Sequence, residues 1–232
     1  MKKDNTIIEL KNVWKSYKIG KVSIHAIRGI NLKIRKGEFV AITGISGSGK
    51  STMMHLVGCL DTPTQGSILL EGKDIFSLDS SQVSEIRGKK IGFVFQQFNL
   101  IPTLSALENV TLPMEFQDEI NEDIKERGKM LLDLVGLKNR MNHKPTELSG
   151  GQAQRVAIAR SLSNNPEIIL ADEPTGNLDS KTGKYIMNFL YKLYKNEGKT
   201  VIIVTHDLKL ARFAKRIVQL KDGKIEKEIH EY

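Results

Sequence analysis

The sequence has a single cysteine and few aromatic residues. Cys59 is alone among 232 residues, and Phe, Trp and Tyr together make up 6% of the chain. A lone cysteine excludes an intramolecular disulfide framework and any zinc site that needs several thiolates, and it is typical of a reducing compartment. We therefore expect a cytoplasmic protein without covalent cross-links.

Long hydrophobic runs are also absent. The longest, Leu56 to Leu60, includes Gly58, whereas a membrane-spanning helix needs roughly 20 apolar residues. The basic start, Met1 to Asp4, leads into polar Asn5 rather than an apolar stretch. The sequence therefore predicts neither a membrane span nor a secretory signal.

Acidic residues are outnumbered by basic ones, 27 to 35, which gives a formal net charge of +8. The length is that of one domain, and 40% hydrophobic with 27% charged residues is an ordinary globular composition. The positive charge either forms a solvated, lysine-rich surface or serves an anionic partner. A membrane face and a nucleic acid are both open at this point.

Seven segments have the composition of β-strands. Four apolar runs without alternation predict strands buried on both faces, as in a parallel sheet covered by helices: Phe39 to Thr43, Ile91 to Phe95, Ile168 to Ala171 and Val201 to Thr205. Three mixed runs punctuated by glycines predict antiparallel strands with one wet face: Ile8 to Val13, Ile30 to Ile34 and Ser67 to Leu70.

Between the second and third of the buried strands the pattern becomes helical. It predicts a small helical insertion at about Phe98 to Lys144. Asn121 is the predicted N-cap of one helix, with Glu122 and Asp123 in its first turn and an apolar face formed by Ile124, Leu131, Leu132 and Val135.

A glycine-rich segment follows the strand that begins at Phe39. Gly44 to Thr52 reads GISGSGKST and precedes a helical run, Met53 to Val57, which is the context that a phosphate-binding loop (Walker A) requires. Its glycines let backbone N–H groups wrap a phosphate. The helix amino end adds partial positive charge, Lys50 can reach the β and γ oxygens, and Ser51 can bind Mg²⁺. The alternative is a Gly/Ser-rich turn before a helix.

Two adjacent carboxylates end the strand that begins at Ile168. Asp172 and Glu173 stand at its carboxyl end, where ligands bind in open α/β sheets. Successive strand side chains point in opposite directions. Asp172 is therefore expected to face a metal through a water, and Glu173 a γ-phosphate and its attacking water. The alternative is an acidic pair at a helix amino end, since Pro174 and Thr175 follow.

A further glycine pair lies where the insertion meets a second predicted helix, Gln152 to Leu162. Ser149 is the predicted cap of this helix. Gly150 and Gly151 would also let the backbone approach an anion closely. The segment Leu148 to Gln152 is therefore either a helix cap alone or a second phosphate site.

Three segments resemble, in their order and separation, motifs of the nucleotide-binding domain of ABC transporters. They are Gly44 to Thr52, Leu148 to Gln152 and Asp172-Glu173. The resemblance runs from Ile8 to about Ile229. It implies an α/β fold with a P-loop NTPase core, a mostly parallel sheet, an antiparallel β subdomain and an inserted α-helical subdomain. One domain, 1–232, would have its core at about 1–97 and 160–232 and its helical subdomain at about 98–159.

The resemblance also implies roles for single residues. Tyr17 matches the aromatic that stacks on adenine, Gln96 the glutamine that reaches Mg²⁺ and the attacking water, and His206 the switch histidine at the γ-phosphate. The implied catalytic set is Glu173, His206, Gln96 and Lys50. The implied metal set is Ser51, Gln96 and, through a water, Asp172. The implied nucleotide-binding set is Tyr17, Gly44, Ser46, Gly47, Ser48, Gly49, Lys50, Ser51, Thr52, Gln96, Ser149, Gly150, Gly151, Gln152, Asp179 and His206.

Further expectations concern partners. Ser149 and Gly151 match residues that contact ATP held by the other subunit, and Asn177 to Asp179 matches a loop that passes between subunits. The resemblance implies a homodimer around two ATP with Mg²⁺, which hydrolyses ATP and drives an integral membrane permease from the inner face of the membrane. Phe95 to Pro102 and Ala171 to Asp179 resemble the branch for lipoprotein release, macrolide and antimicrobial-peptide export, and cell division.

Two other functions compete with a transporter ATPase. A soluble ABC ATPase acting on nucleic acid or the ribosome would suit the charge of +8, but the chain has neither a long heptad insertion between Lys50 and Ser149 nor a second copy of the domain. No nucleic-acid partner is therefore expected. A non-hydrolysing nucleotide switch would need a defective catalytic carboxylate, and Glu173 is present.

Overall fold

The computed structural model describes residues 5–117 and 123–230. The strands of this part are β1 (Thr6–Ile19), β2 (Val22–Arg35), β3 (Phe39–Thr43), β4 (Gln65–Leu70), β5 (Lys73–Asp74), β6 (Ile91–Val94), β7 (Ile168–Asp172), β8 (Thr200–Val204), β9 (Arg216–Lys221) and β10 (Lys224–His230). Its α-helices are α1 (Lys50–Val57), α2 (Ser80–Lys90), α3 (Ala106–Glu115), α4 (Ile124–Leu134), α5 (Gly150–Ser161), α6 (Ser180–Glu197) and α7 (Leu208–Ala211). Two 3₁₀ turns, Lys138–Arg140 and Pro145–Glu147, precede α5.

The chain forms two compact units. The first contains the described residues up to Glu85 and from Tyr191 onward, and the second runs from Ile86 to Leu190. The unit boundaries fall within α2 and α6. The predicted helical subdomain, 98–159, stays a prediction.

An antiparallel sheet in the first unit has the strand order β2-β1-β4-β5. Exposed and buried residues alternate along the second half of β2, because one face of the sheet packs against the core while the other meets water. This confirms the prediction of strands with one wet face. The three predicted runs lie inside β1, β2 and β4, and the first two strands are much longer than predicted.

The parallel strands of the first unit are β3, β8 and β9. β3 pairs with β8 on one side and with β9 on the other, and β10 extends the sheet by antiparallel pairing with β9. Every residue of β3 and β8 is buried, as their apolar, non-alternating sequences predict. Phe39 is fully buried, and its ring packs against the rings of Tyr191 and Tyr194.

The second unit contains the parallel pair β6 and β7 and the mutually packed helices α3, α4 and α5. Gly92 in β6 allows a close approach, because a Cβ there would lie 2.1 Å from the carbonyl oxygen of Ser161 at the end of α5. The predicted strands at Ile91 and Ile168 are confirmed, although β6 ends at Val94 rather than Phe95.

The start of α4 corrects one prediction. Asp123 is the N-cap, and its side chain accepts hydrogen bonds from the backbone N–H groups of Lys125 and Glu126. It is therefore not a first-turn residue. Asn121, the predicted cap, and Glu122 lie outside the described residues. Asp at an N-cap satisfies the free N–H groups of the first turn as well as Asn does.

The α/β class of the fold is confirmed by these two units. In the part of the chain that the structure covers, no helix has the length and apolarity to cross a membrane.

Candidate functional site

The glycine-rich loop lies between β3 and α1, as the sequence predicts. Ile45, Ser46 and Gly47 are exposed at its tip. Gly49 is the N-cap of α1, and no side chain caps the helix. The free N–H groups of a helix amino end and its partial positive charge are suited to an anion. The loop therefore offers the backbone groups that a phosphate site uses.

Two glycines of the loop are required by close packing. Gly49 has a φ of 102°, and a Cβ there would lie 2.5 Å from the carbonyl oxygen of Ala26. Gly44 has a φ of 154°, and a Cβ there would lie 2.4 Å from the carbonyl oxygen of Leu220. A side chain at Gly49 would therefore clash with the backbone of β2, and one at Gly44 with the backbone of β9.

Lys50 folds back over the loop. Its ammonium group donates hydrogen bonds of 2.9 Å to the carbonyl oxygens of Gly44 and Ile45. The side-chain hydroxyl of Ser48 is buried without a hydrogen-bond partner, whereas Ser51 is exposed on the first turn of α1. The loop thus holds one cation, the exposed serines Ser46 and Ser51, and exposed backbone around its tip. These are groups that bind phosphate and Mg²⁺.

Tyr17 lies on β1 near this helix. Its hydroxyl donates a 2.8 Å hydrogen bond to Asp61, and the ammonium group of Lys15 lies 5.0 Å from the centre of its ring. Burial raises the pKa of Tyr17, the Asp61 carboxylate raises it further, and a hydrogen bond with Thr52 lowers it. The contact with Thr52 brings the ring to the side of the phosphate loop. Its exposed fraction of 38% leaves ring surface for a ligand.

His206 follows β8, two residues after the strand ends. β8 pairs in parallel with β3, with Val204 opposite Ile42, and the N–H of Thr205 donates to the carbonyl oxygen of Ile42. Because parallel strands end at the same edge of a sheet, His206 and the phosphate loop emerge side by side. His206 is exposed there.

The two residues of the predicted carboxylate pair differ in backbone conformation. Asp172 is the last residue of β7, and Glu173 follows it with a φ of 43°. The alternation of side chains along a strand therefore does not apply to Glu173, because it has left the strand. No helix begins at Pro174 or Thr175, since α6 starts at Ser180. The alternative of an acidic pair at a helix amino end is therefore wrong.

Gln96 lies close to Glu173. A Cβ on Gly176 would be 3.3 Å from the amide nitrogen of Gln96 and 3.7 Å from the Cβ of Glu173. The side-chain amide of Asn177 donates a 3.0 Å hydrogen bond to the carbonyl oxygen of Gln96. The turn after β7 thus brings the segment after β6 close to Glu173, with the Gln96 amide and the Cβ of Glu173 both near Gly176.

The amino end of α5 carries the second glycine pair. Ser149 caps the helix through a capping box, in which the N–H of Gln152 donates to the Ser149 hydroxyl and the N–H of Ser149 donates to the Gln152 side chain. The predicted cap is confirmed, and the helix starts at Gly150 rather than Gln152. Ser149 and Gly150 are also exposed, so the cap leaves this end accessible to an anion.

A groove of about 610 Å³ adjoins this helix end. Its lining includes Ser149, Gly151, Arg155, Asn177, Asp179 and Tyr185. The side chain and backbone N–H of Thr182 donate hydrogen bonds to Asp179 and lower its pKa. The predicted residues 149–151 and the loop at 177–179 therefore line one groove, whereas Gln152 is not part of its lining.

Several residues near these sites were missed by sequence reasoning. They are Lys15 and Asp61 beside Tyr17, Arg155 and Tyr185 in the groove, and Arg160 at the end of α5. Arg155 and Arg160 are spaced along a helix that follows a glycine pair, which is the one signal in the sequence that could have drawn attention to them. The pairing of Tyr17 with Asp61 joins positions 44 residues apart and has no local signal.

The family model for ABC transporters matches residues 27–176. An uncharacterized ABC transporter ATP-binding protein of Methanocaldococcus jannaschii, MJ0796, is 55% identical over 226 residues, which are 96% of each chain. The chain belongs to the ABC transporter family. It is an ABC ATPase, the ATP-binding subunit of a transporter, and the family resemblance and the fold implied by the sequence motifs are confirmed.

Two further comparisons place this ABC ATPase within the family. The macrolide export ATP-binding/permease protein MacB of Bdellovibrio bacteriovorus is 50% identical over 223 residues, which are 96% of this chain and 34% of that protein. A dimeric structure of the ATP-binding cassette MJ0796 in a post-hydrolysis state, bound to ADP and Pi, is 52% identical, with a TM-score of 0.92 and coverage of 97% of this chain and 99% of that one. These relatives favour a transporter over an ABC ATPase acting on nucleic acid or the ribosome.

Proposed function

We propose that two copies of this chain close around two ATP molecules and drive a membrane permease. In each site Lys50 and Ser51 of one copy bind the phosphates, and Ser149 and Gly151 of the other copy contact the same ATP. The observation that carries this proposal is the exposed amino end of α5, where Ser149 and the glycine pair open on a groove. A two-fold symmetric dimer would repeat this contact at both sites.

The dimer is also supported by a relative. MJ0796 has been solved as a dimer, and one of its structures holds ADP and Pi. The adenine of ATP would stack on Tyr17, and the phosphates would lie on the loop from Gly44 to Thr52 and near His206. Asp179 would approach the second copy from the groove.

Mg²⁺ fits the groups that are present. In the described residues, no three side chains of His, Cys, Asp or Glu converge to form a metal cage. Mg²⁺ is usually held instead by one or two protein oxygens together with substrate phosphates. In this proposal the hydroxyl of Ser51, the amide oxygen of Gln96 and, through a water, the Asp172 carboxylate would supply such oxygens. When bound, Mg²⁺ neutralises charge on the phosphate oxygens.

Hydrolysis would depend on the carboxylate of Glu173. Glu173 accepts a hydrogen bond from the attacking water and polarises it, Gln96 orients that water, and Lys50 and His206 stabilise the charge that develops on the γ-phosphate. Loss of phosphate removes the charge that both copies share, so the dimer opens.

The permease partner would be an integral membrane protein, and the ATPase would act on the inner face of the cell membrane. The similarity to MacB proteins, which are named for ATP-binding and permease functions together, supports an export or membrane-extraction system. The excess of basic over acidic residues is compatible with an anionic membrane surface.

The proposal is tested at Glu173. In Glu173→Gln, phosphate release should fall by roughly 10²- to 10⁴-fold, the usual contribution of a positioned general base, while ATP affinity is retained. Glu167→Gln, at the other end of β7, is the matched control and should keep full turnover. Unchanged turnover in Glu173→Gln would remove this residue from the mechanism.

A further inference from the structure

The segment after Gln96 has an unusual backbone. Phe98 and Asn99 are consecutive non-glycine residues with positive φ, 54° and 49°. Left-handed conformations of such residues are unfavourable and persist only where the surroundings hold them. Two local backbone hydrogen bonds lie in this segment: the N–H of Phe98 donates to the carbonyl oxygen of Phe95 at 3.3 Å, and the N–H of Asn99 donates to that of Gln97. Neither bond uses the carbonyl oxygen of Phe98 or that of Asn99 as its acceptor.

Arg160, in the last turn of α5, meets both carbonyl groups. Nη1 donates to the carbonyl oxygen of Asn99 at 2.6 Å, and Nη2 donates to that of Phe98 at 2.8 Å. The guanidinium is partly buried, and burial lowers its pKa. A buried charge needs hydrogen-bond partners, and the planar fork of an arginine suits two neighbouring acceptors. These two carbonyls are the hydrogen-bond partners of the Arg160 guanidinium in the described part of the chain.

The same segment touches the other end of α5. The ring tip of Phe98 lies 3.8 Å from where a Cβ on Gly150 would be, and Gly150 is the first residue of the helix. The segment therefore runs alongside α5, with its ring at the amino end of the helix and its carbonyl groups at the Arg160 side chain.

We infer that Arg160 is a positioning residue for Gln96. Arg160 fixes Phe98 and Asn99 to α5, and Asn177 donates a hydrogen bond to the Gln96 carbonyl. Together they set the position of the Gln96 amide. Helix α5, which Ser149 caps, and the segment that carries Gln96 then behave as one body. This inference rests on the proposed function of Gln96 at Mg²⁺ and the attacking water.

The first test needs no nucleotide. Hydrogen exchange, followed by mass spectrometry, is compared between the wild type and Arg160→Lys for peptides covering residues 95–101. Lysine keeps the charge but lacks the planar pair of donors. Amide exchange should therefore become at least about tenfold faster, which corresponds to the free energy of one hydrogen bond to a charged group. Arg127→Lys is the control, because Arg127 also donates to a backbone carbonyl in the same unit, that of Ser163. Exchange in 95–101 that is unchanged in Arg160→Lys would overturn the inference.

The second test asks whether Arg160 acts through Gln96. Phosphate release is measured as a function of Mg²⁺ for Arg160→Lys, Gln96→Ala and the double variant, with ATP affinity measured in parallel. Arg160→Lys should lower kcat about tenfold and raise the Mg²⁺ concentration for half-maximal rate, with ATP affinity retained, and it should add no further loss to Gln96→Ala. Arg127→Lys should change neither value.

The outcomes separate the inference from the proposed function. Full activity in Gln96→Ala would reject the role proposed for Gln96. A loss in Gln96→Ala together with an additive loss in the double variant would reject only the inference about Arg160. If Arg160→Lys is too unstable to assay, Arg160→Gln, whose amide NH₂ group keeps two N–H donors, takes its place in the cycle. Its loss of kcat must again not add to that of Gln96→Ala.

Discussion

Glu173 carries its carboxylate on a left-handed backbone, with a φ of 43°. Such a conformation costs about 1–3 kcal/mol in a non-glycine residue and persists where the surroundings impose it. The residue type was predictable from a strand that ends in two acids, but its direction was not, because side-chain alternation holds only inside the strand. The turn from Glu173 to Gly176, closed by a 3.0 Å backbone hydrogen bond, sets that direction instead.

Tyr17 is expected to bind ATP through its ring. Tyr17→Ala should weaken ATP binding by about 1–3 kcal/mol, by analogy with base stacking on other aromatic side chains. Tyr17→Phe is the matched variant, because it keeps the ring and loses only the hydroxyl with its hydrogen bonds to Asp61 and Thr52. Its affinity should stay within about 1 kcal/mol of the wild type. Both are measured by calorimetric titration with ATP.

Equal losses in the two Tyr17 variants would mean that the hydroxyl, not the ring, supports binding. Unaltered affinity in both would return Tyr17 to a packing role. The partner Asp61 is itself tied to Lys15, and although burial raises the pKa of Asp61, hydrogen bonds from Lys15 and Tyr17 lower it overall.

Asp179 predicts a pH dependence of stability. The hydrogen bonds from Thr182 lower its pKa, so the stabilisation is fully present above the unfolded-state pKa of about 3.9 and is lost as the pH falls through the lower, folded-state value. The difference in Tm between the wild type and Asp179→Ala should therefore shrink as the pH falls from 7 towards 3. Thr182→Val removes the hydroxyl that donates to Asp179. In that background, the Tm difference caused by Asp179→Ala should also be smaller. A difference that is constant with pH would contradict this assignment.

At the scale of elements, the buried parallel strands were the most predictable. β3 and β8 are apolar at nearly every position because both faces are covered, and that composition is visible without a partner sequence. α2 was not predicted, because none of its residues is buried and its sequence has no apolar stripe. β9 and β10 mix charged and apolar residues, which resembles loop composition, and only their pairing makes them strands.

The cap of α4 gives an element-level prediction. Asp123→Ala should lower the free energy of unfolding by about 0.5–2 kcal/mol, because two backbone N–H groups lose their acceptor. Asp123→Asn is the control, since Asn caps a helix about as well, and it should be close to the wild type. Chemical unfolding measured by circular dichroism distinguishes them. Equal losses in both variants would mean that the charge of Asp123 rather than its capping matters.

At the scale of the whole molecule, the order of motifs was more informative than any one of them. The phosphate loop, the glycine pair before α5 and the carboxylates after β7 are far apart in sequence, and the predicted site residues divide between the two compact units. Their spacing identified the family. The sequence could not reveal the contacts that hold them, such as Arg160 on two backbone carbonyls, because these depend on backbone conformations that no residue type marks.

The central claim is that ATP joins two copies of the chain. The most direct measurement is light-scattering mass for Glu173→Gln, with ATP and Mg²⁺ and, as the control, with ADP. With ATP, but not with ADP, we predict that the mass rises from the 26.0 kDa of one chain to about 52 kDa, the mass of a two-fold dimer. A variant that binds ATP yet keeps the mass of one chain at every concentration would contradict the shared site and the contact assigned to Ser149 and Gly151.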